Sequence, residues 1–301
     1  MDLTPLRALV CGNVNVELAF AVPEWPLRAA ESRDHPHALT LGASGVGYNV
    51  AHALSRLGAE VHFLGFAGDD VAGGAVRHTL GAAGIAAHLI PTPATPLSLV
   101  FTAPDRQREI HRDLKGLADG AAPVDAFRAA LPGAAVAVLT NVGWTRDLLS
   151  LARAAGVPVV TDLQATPGPG HPYDTLFLAG ADVVFLSGEH LGGLPGDAVR
   201  AYRAEFDPRI IVVGLGKDGA LLSERGQPLH HQPAVPTRPV HSTNGAGDAL
   251  LAAFTRVYFG GMEAREALRL ACTFASWKCG EAGGASGHLD WAGLSALTRP
   301  G

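Results

Sequence analysis

Near the C-terminal end the sequence reads Thr243-Asn244-Gly245-Ala246-Gly247-Asp248 and continues Ala249-Leu250-Leu251-Ala252-Ala253-Phe254. Small residues and one acid open directly into an apolar run whose large side chains (Leu250, Leu251, Phe254, Val257, Tyr258) keep helical spacing. The spacing predicts a loop feeding a helix N-terminus, where unpaired backbone N–H groups and the helix dipole favour negative charge. Gly245 and Gly247 have no Cβ to hold a phosphate away from the backbone. A carboxylate at Asp248 then stands beside the anion, placed to take a proton from a hydroxyl attacking phosphorus. Taken alone, an Asp in a first helical turn is simply stabilising, and Gly-Ala-Gly makes a tight turn.

The hundred residues before this stretch alternate between strand and helix patterns. Ala134–Leu139 is apolar and ends at Thr140-Asn141; Asp147–Ala154 is helical; Val157–Val160 ends at Thr161-Asp162. Val183–Leu186 ends at Ser187-Gly188-Glu189, and Ile210–Val213 at Gly214-Leu215-Gly216-Lys217-Asp218-Gly219, with Ala220-Leu221-Leu222 returning. Such alternation predicts a largely parallel sheet with helices on both faces. Polar residues gather at the C-terminal strand ends, where open α/β sheets bind ligands.

Towards the N-terminus, Arg7–Cys11 reads as a buried strand closed by Gly12-Asn13. Val14–Phe20 partly alternates, as a strand with one wet face does. Prolines at 23, 26 and 36 make Val22–Leu39 an irregular connection. Leu97–Thr102 and Arg108–Arg112 flank a polar turn at Pro104-Asp105-Arg106-Gln107, which predicts a hairpin. These pieces, about 13–40 and 95–113, form a small lid sheet inserted in one domain spanning 1–301. A closing lid expels water from reacting groups, and its exposed edges can pair between subunits as a homodimer.

Residues 42–47 (Gly-Ala-Ser-Gly-Val-Gly), before the helical run Val50, Ala51, Leu54, Leu57, also have the look of a dehydrogenase nucleotide turn. That alternative fails. A strand and a lid segment already precede the turn, and the next strand, Val61–Gly65, does not end in an acid. Moreover, Tyr48, Tyr173, Tyr202 and Tyr258 are followed four residues on by His52, Phe177, Phe206 and Met262, never by Lys.

The stretch ending at Asp248 resembles the second signature of the ribokinase-like (PfkB) sugar and nucleoside kinases, whose core reads Gly-Ala-Gly-Asp. Ser44-Gly45-Val46-Gly47-Tyr48-Asn49 followed by Gly68-Asp69-Asp70 resembles the first, with Ser44 standing where the family has glycine. The resemblance spans nearly the whole chain. It implies a three-layer α/β/α sandwich around a largely parallel sheet, with a small β-sheet lid. It implies an ATP-dependent phosphotransferase in which Asp248 is the catalytic base and Gly245, Ala246 and Gly247 form the anion hole. Gly45, Gly47 and Asn49 would contact the accepting sugar. Gly216, Lys217 and Gly219, with Thr243 and Asn244, would line the nucleotide. The Glu263–Lys278 helix and Gly283-Gly284-Ala285-Ser286-Gly287 occupy the region that walls adenine and holds a monovalent cation in relatives.

Gly12-Asn13-Val14-Asn15-Val16-Glu17 resembles the family's opening motif, which usually ends in Asp; Asn15 and Glu17 then face the acceptor, Glu17 one methylene longer. The family's Asn-x-x-Glu, which supports Mg²⁺, is replaced by Gly188-Glu189-His190-Leu191, leaving Glu189 as the metal candidate. His241-Ser242 stand where an Asp commonly precedes the second signature. An alcohol of a small sugar is the expected acceptor. A nucleoside is the alternative, favoured if Phe20, Trp25 or Phe101 stacks a base. The rival from another class is a non-catalytic metabolite-binding descendant.

The 301 residues are 48% hydrophobic, enough for a large core, and the formal net charge is -5, so no basic field exists to hold a nucleic acid. Cys11, Cys272 and Cys279 have neither disulfide nor zinc spacing. Met1-Asp2-Leu3-Thr4-Pro5 does not read as a signal peptide, and no run approaches the roughly 20 apolar residues of a membrane span, so the cytoplasm is the expected location.

Overall fold

Strand-forming runs rich in Val, Ile and Leu supply two sheets, and the spacing of apolar residues along each helix decides which face it covers. The structure is a computed structural model that describes residues 3–104, 108–191 and 193–298. Its first part runs β1 (Arg7–Cys11), β2 (Asn15–Ala21), β3 (Leu39–Ser44), α1 (Val46–Arg56), β4 (Glu60–Gly68), α2 (Val71–Ala82), β5 (Ala86–Thr92), β6 (Leu97–Thr102) and β7 (Arg108–Asp113). Next come α3 (Val124–Ala130), β8 (Val136–Leu139), α4 (Arg146–Ala154), β9 (Val159–Ala165), α5 (Pro172–Gly180), β10 (Val183–Ser187) and α6 (Pro195–Glu205). The last part is β11 (Ile210–Gly214), β12 (Ala220–Glu224), β13 (His230–Gln232), α7 (Ala246–Tyr258), α8 (Ala264–Lys278) and α9 (Trp291–Leu297).

Nine strands form the large sheet in the order β13-β12-β11-β10-β9-β8-β1-β4-β5. It is parallel from β11 to β5, and the β11–β12 and β12–β13 pairs are antiparallel. Because side chains alternate along a strand, each strand feeds both faces. Ala8, Val10, Val138, Val160, Phe185 and Val212 pack with α1, α2, α7, α8 and α9 in one layer. Leu9, Cys11, Leu139, Val159, Val184 and Ile211 pack with α3, α4, α5 and α6 in the other. This is the expected three-layer sandwich. All three cysteines are buried and free. Among the described residues no helix is long and apolar enough to cross a membrane.

The small sheet has the order β3-β2-β6-β7. β2 and β6 run parallel, and β6 and β7 form the expected hairpin, with Leu99 opposite His111. Its turn residues Asp105, Arg106 and Gln107 lie outside the described residues. One expectation needs correction. Residues 42–47 read from sequence as one glycine turn, with the first lid segment ending near residue 40; instead Leu39–Ser44 is the lid strand β3, in register with β2. Its Leu-Thr-Leu-Gly-Ala-Ser carries strand alternation that the neighbouring glycines obscured.

Asp70 ties the two sheets together. Its carboxylate caps α2 by accepting from the Gly73 amide at 2.7 Å, and it also accepts from the Thr95 amide and hydroxyl just before β6. Those bonds, the Thr95 hydroxyl foremost, pull its pKa down to about 2. Gly68-Asp69-Asp70 thus fastens the end of β4 and the start of α2 to the segment that leads into β6.

Candidate active site

α7 starts at the predicted glycines. Gly245 is its N-cap at φ 75°, and Ala246, Gly247 and Asp248 make its first turn. The position needs glycine twice over: the backbone is left-handed, and a Cβ would collide with the carbonyl oxygen of Gly284. Ala246 turns its amide back to the Thr243 carbonyl at 3.2 Å. The Gly247 and Asp248 amides have no backbone acceptor among the described residues. At Gly247 nothing lies within 4 Å of where a Cβ would stand. Two amides without a backbone acceptor thus stand at the positive end of a thirteen-residue helix, the arrangement that holds an oxyanion or phosphate.

Asp248 is 8% exposed and accepts a hydrogen bond from Asn49 Nδ2 at 2.7 Å, joining the two signatures across 199 residues. Burial chiefly raises its pKa, to about 7; the Asn49 bond, Lys278 and Arg108 pull the other way, and the carboxylate of Asp162 pushes it further up. A carboxyl poised near neutrality is matched to accepting a proton from an alcohol.

Asn49 is held in place by close backbone packing. Gly45, the N-cap of α1, has φ 105°, and a Cβ there would stand 2.8 Å from Asn15 Oδ1. A Cβ on Gly47 would stand 2.7 Å from the Gly12 carbonyl carbon, and the Tyr48 amide donates to the Asn13 carbonyl at 3.2 Å. The glycines of the first signature therefore let α1 seat on the β1–β2 turn. Asn15 donates to Ser98 on β6 at 2.7 Å. Glu17 accepts from Ser44 Oγ at 2.9 Å and from Asn244 Nδ2 at 3.5 Å. Asn244, grouped by the resemblance with the nucleotide contacts, thus also touches Glu17.

Gly216, Lys217 and Asp218 form a short 3-10 turn after β11, closed by Gly219 at φ 95°. Lys217 is exposed, and nothing lies within 4 Å of a Cβ on Gly216, so the loop is open to a ligand. Thr243 is also exposed beside α7. Glu189 is exposed past the end of β10, its amide on Ser187 Oγ, and it joins no group of three or more metal-ligating side chains among the described residues.

Three charged residues of this site were not singled out from sequence. Asp162, midway along β9, is buried; desolvation raises its pKa to about 6 against the opposing Gln164 amide bond. The sequence reading ends this strand at Thr161-Asp162, whereas β9 continues to Ala165. Arg108 enters from the lid strand β7. Lys278, the last residue of α8, is fully buried; amphipathic spacing alone gives an end-of-helix Lys no distinction.

Of the lid aromatics, Trp25 and Phe101 line a cavity together with Arg108. Strand alternation sets Phe20 and Phe101, cross-strand partners, on the face opposite Glu17, Ser98 and Thr102. There they pack with Trp25, His35 and His111.

A model of the pfkB family of carbohydrate kinases matches residues 6–291. An acarbose 7(IV)-phosphotransferase from Actinoplanes sp. is 29% identical over 312 residues, covering 97% of each chain. The structure of a microbiome-derived acarbose kinase, Mak1, superposes with a TM-score of 0.89 at 27% identity, covering 98% of this chain and 99% of that one. Arabidopsis thaliana ribokinase complexed with ribose and ATP has the same fold, with a TM-score of 0.83 at 20% identity, covering 99% and 100%. The chain spans 63% and 50% of the length of two bifunctional HldE proteins that it also matches.

Proposed function

The chain belongs to the pfkB family of carbohydrate kinases, and from that membership we propose that it transfers the γ-phosphoryl group of ATP to an alcohol of a small sugar. The observation that carries this is the meeting of Asn49 and Asp248, 2.7 Å apart, at the open head of α7. The acceptor hydroxyl approaches Asp248, which takes its proton as the oxygen attacks phosphorus. The Gly247 and Asp248 amides, with Gly245 and Ala246 shaping the turn, hold the transferring group's charge. Glu17 and Asn15, with Asn49, orient the acceptor. The Gly216–Gly219 loop and Thr243 line the donor, with open space beside Gly216 and Gly247. Mg²⁺ fits a site of this kind as an ion held mainly by phosphate oxygens and water, with Glu189 the protein carboxylate on offer; bound there, it neutralises phosphate charge.

The intact pairing at Asp248 supports catalysis over metabolite sensing. The same proposal keeps the protein in the cytoplasm, alongside ATP. Purified protein with ATP and Mg²⁺ is tested against a panel of sugars, acarbose, sugar phosphates and nucleosides, reading ADP release. Turnover of a sugar, lost in a folded Asp248→Asn variant, is expected. Ligand-dependent thermal stabilisation without ADP release from any acceptor would overturn the assignment.

A further inference from the structure

Residues 282–289, between α8 and α9, carry Gly284 to the back of the site. A Cβ on Gly284 would stand 2.5 Å from Asn49 Nδ2, and the Gly284 carbonyl oxygen is what bars a Cβ at Gly245. One short stretch of backbone thus backs both the N-cap of α7 and the amide that holds Asp248. The stretch is tethered thinly. Ala285 and Leu289 pack against the core, but among the described residues a single hydrogen bond joins residues 282–289 to the rest of the protein, between His288 Nδ1 and His52 Nδ1 at 3.0 Å. His52 lies three residues past Asn49 on α1, so the two share a face of the helix. The segment therefore meets α1 twice, Gly284 at Asn49 and His288 at His52.

His288 is 7% exposed, and its ring stacks on Phe274 of α8 with 5.4 Å between centroids. Its Nε2 is buried without a partner among the described residues. A phenylalanine would keep the stack and avoid that unpaired nitrogen; what it cannot supply is the link to α1. The link shares one proton between two nitrogens and forms while at least one ring is neutral. Burial is the main force holding both rings neutral, with Arg56 acting the same way on each and Lys278 on His288.

We propose that His52 and His288 are positioning residues for the transfer step: their bond clasps residues 282–289 to α1 and so keeps Gly284 seated behind the Asn49 amide and the N-cap of α7. The inference rests on the kinase reading, with Asp248 as the base. Asn49 Oδ1 has no partner among the described residues, so once the clasp opens and Gly284 backs away, the side-chain amide is oriented by Asp248 alone.

The test follows the Asn49 side-chain amide by NMR in ¹⁵N-asparagine-labelled, nucleotide-free protein, its signal assigned by loss in Asn49→Ala. Hydrogen exchange of residues 282–289 is read alongside by mass spectrometry. His288→Phe is expected to speed exchange in the segment and shift the Asn49 signal without lowering Tm. With ATP and the acceptor, its kcat falls about tenfold or more while the acceptor KM changes little. His288→Asn, whose amide takes the place of Nδ1, restores signal and kcat towards wild type, and His52→Phe reproduces the loss. A merely structural histidine predicts the reverse: Tm and kcat fall together and His288→Asn restores nothing. An unmoved Asn49 signal with unchanged exchange in folded His288→Phe overturns the proposal; should that variant not fold, His52→Phe, at a half-buried position, carries the same comparison. Turnover surviving in Asp248→Asn would instead sink the base assignment and leave the exchange result standing, so the two failures are separable.

Discussion

Ser44 Oγ donates to Glu17 Oε2 at 2.9 Å, and these are two of the positions at which the chain departs from the family pattern it otherwise resembles. The departures explain each other. A Glu in place of Asp carries its carboxylate one methylene further, and a Ser in place of glycine supplies a hydroxyl to receive it. Ser44 lies on β3 directly across from Asn15 on β2, so the pair is held by sheet register rather than by a loop. The expected consequence is energetic coupling at the acceptor site. Ser44→Ala and Glu17→Gln should each raise the acceptor KM several-fold with smaller effects on kcat. The double variant should be less harmful than the product of the singles, a coupling of about 0.5–3 kcal/mol. Simple multiplicativity in a double-mutant cycle would show that the two side chains act independently.

Asp248 makes stability depend on pH. Its folded pKa, about 7, lies above the ordinary carboxylate value, mainly through burial. The folded protein therefore binds more protons than the unfolded chain in the interval between the two values. Stability from this group is fully present below the unfolded value and is lost as pH rises through about 7. Asp248→Asn removes the titration. Thermal unfolding should give the variant a higher Tm than wild type at mildly alkaline pH, the gap narrowing steadily on acidification, while turnover falls by about 10³-fold or more. A gap that is constant with pH would assign the effect to packing instead.

The layered fold was legible because its causes are local. Apolar strand cores such as Val183–Leu186 and Ile210–Val213 declare a buried parallel sheet, and the signature at 243–248 marks the start of α7. What escaped was decided by partners distant in sequence. β3 is made a strand by pairing with β2, against its own glycine. β13 has three residues and exists by pairing with β12. Within the site, Asp248 and the glycines carry a contiguous pattern. Lys278, Arg108 and Asp162 carry none, since their role depends on three separate elements converging. The contact of the Asn244 amide with Glu17 escaped for the same reason, since it spans 227 residues of sequence.

Gly245 and Gly247 stand two residues apart, yet their substitution should separate stability from activity. An alanine at 245 meets a left-handed φ of 75° and the Gly284 carbonyl oxygen; the backbone strain alone costs about 1–2 kcal/mol. Gly245→Ala should therefore lower Tm and activity together. At Gly247 the same methyl group enters open space in a helical turn, where alanine is favoured over glycine by up to about 1 kcal/mol. Gly247→Ala should leave Tm unchanged or raise it, while kcat falls at least tenfold, because the methyl group occupies the volume of the transferring phosphoryl group. A folded, fully active Gly247→Ala would show that phosphate does not lie against this turn.

The outer lid face supplies the last prediction. In register across three strands, Leu41 pairs with Leu18 and then Leu99, while Leu39 pairs with Phe20 and then Phe101. Leu41 is 71% exposed and Leu39 56%. On β7 the same face turns polar, with His111 opposite Leu99 and Glu109 opposite Phe101. A sheet with one face over an active site and the other apolar in water is a candidate for burial against a copy of itself. We therefore expect a lid-to-lid homodimer, broken by Leu41→Glu, since a carboxylate buried there would lack a partner. Sedimentation equilibrium should report a dimer for wild type and a monomer for the variant, with the acceptor KM rising as the unsupported lid loosens. A wild-type protein that stays monomeric at high concentration would leave this face to solvent and overturn the dimer.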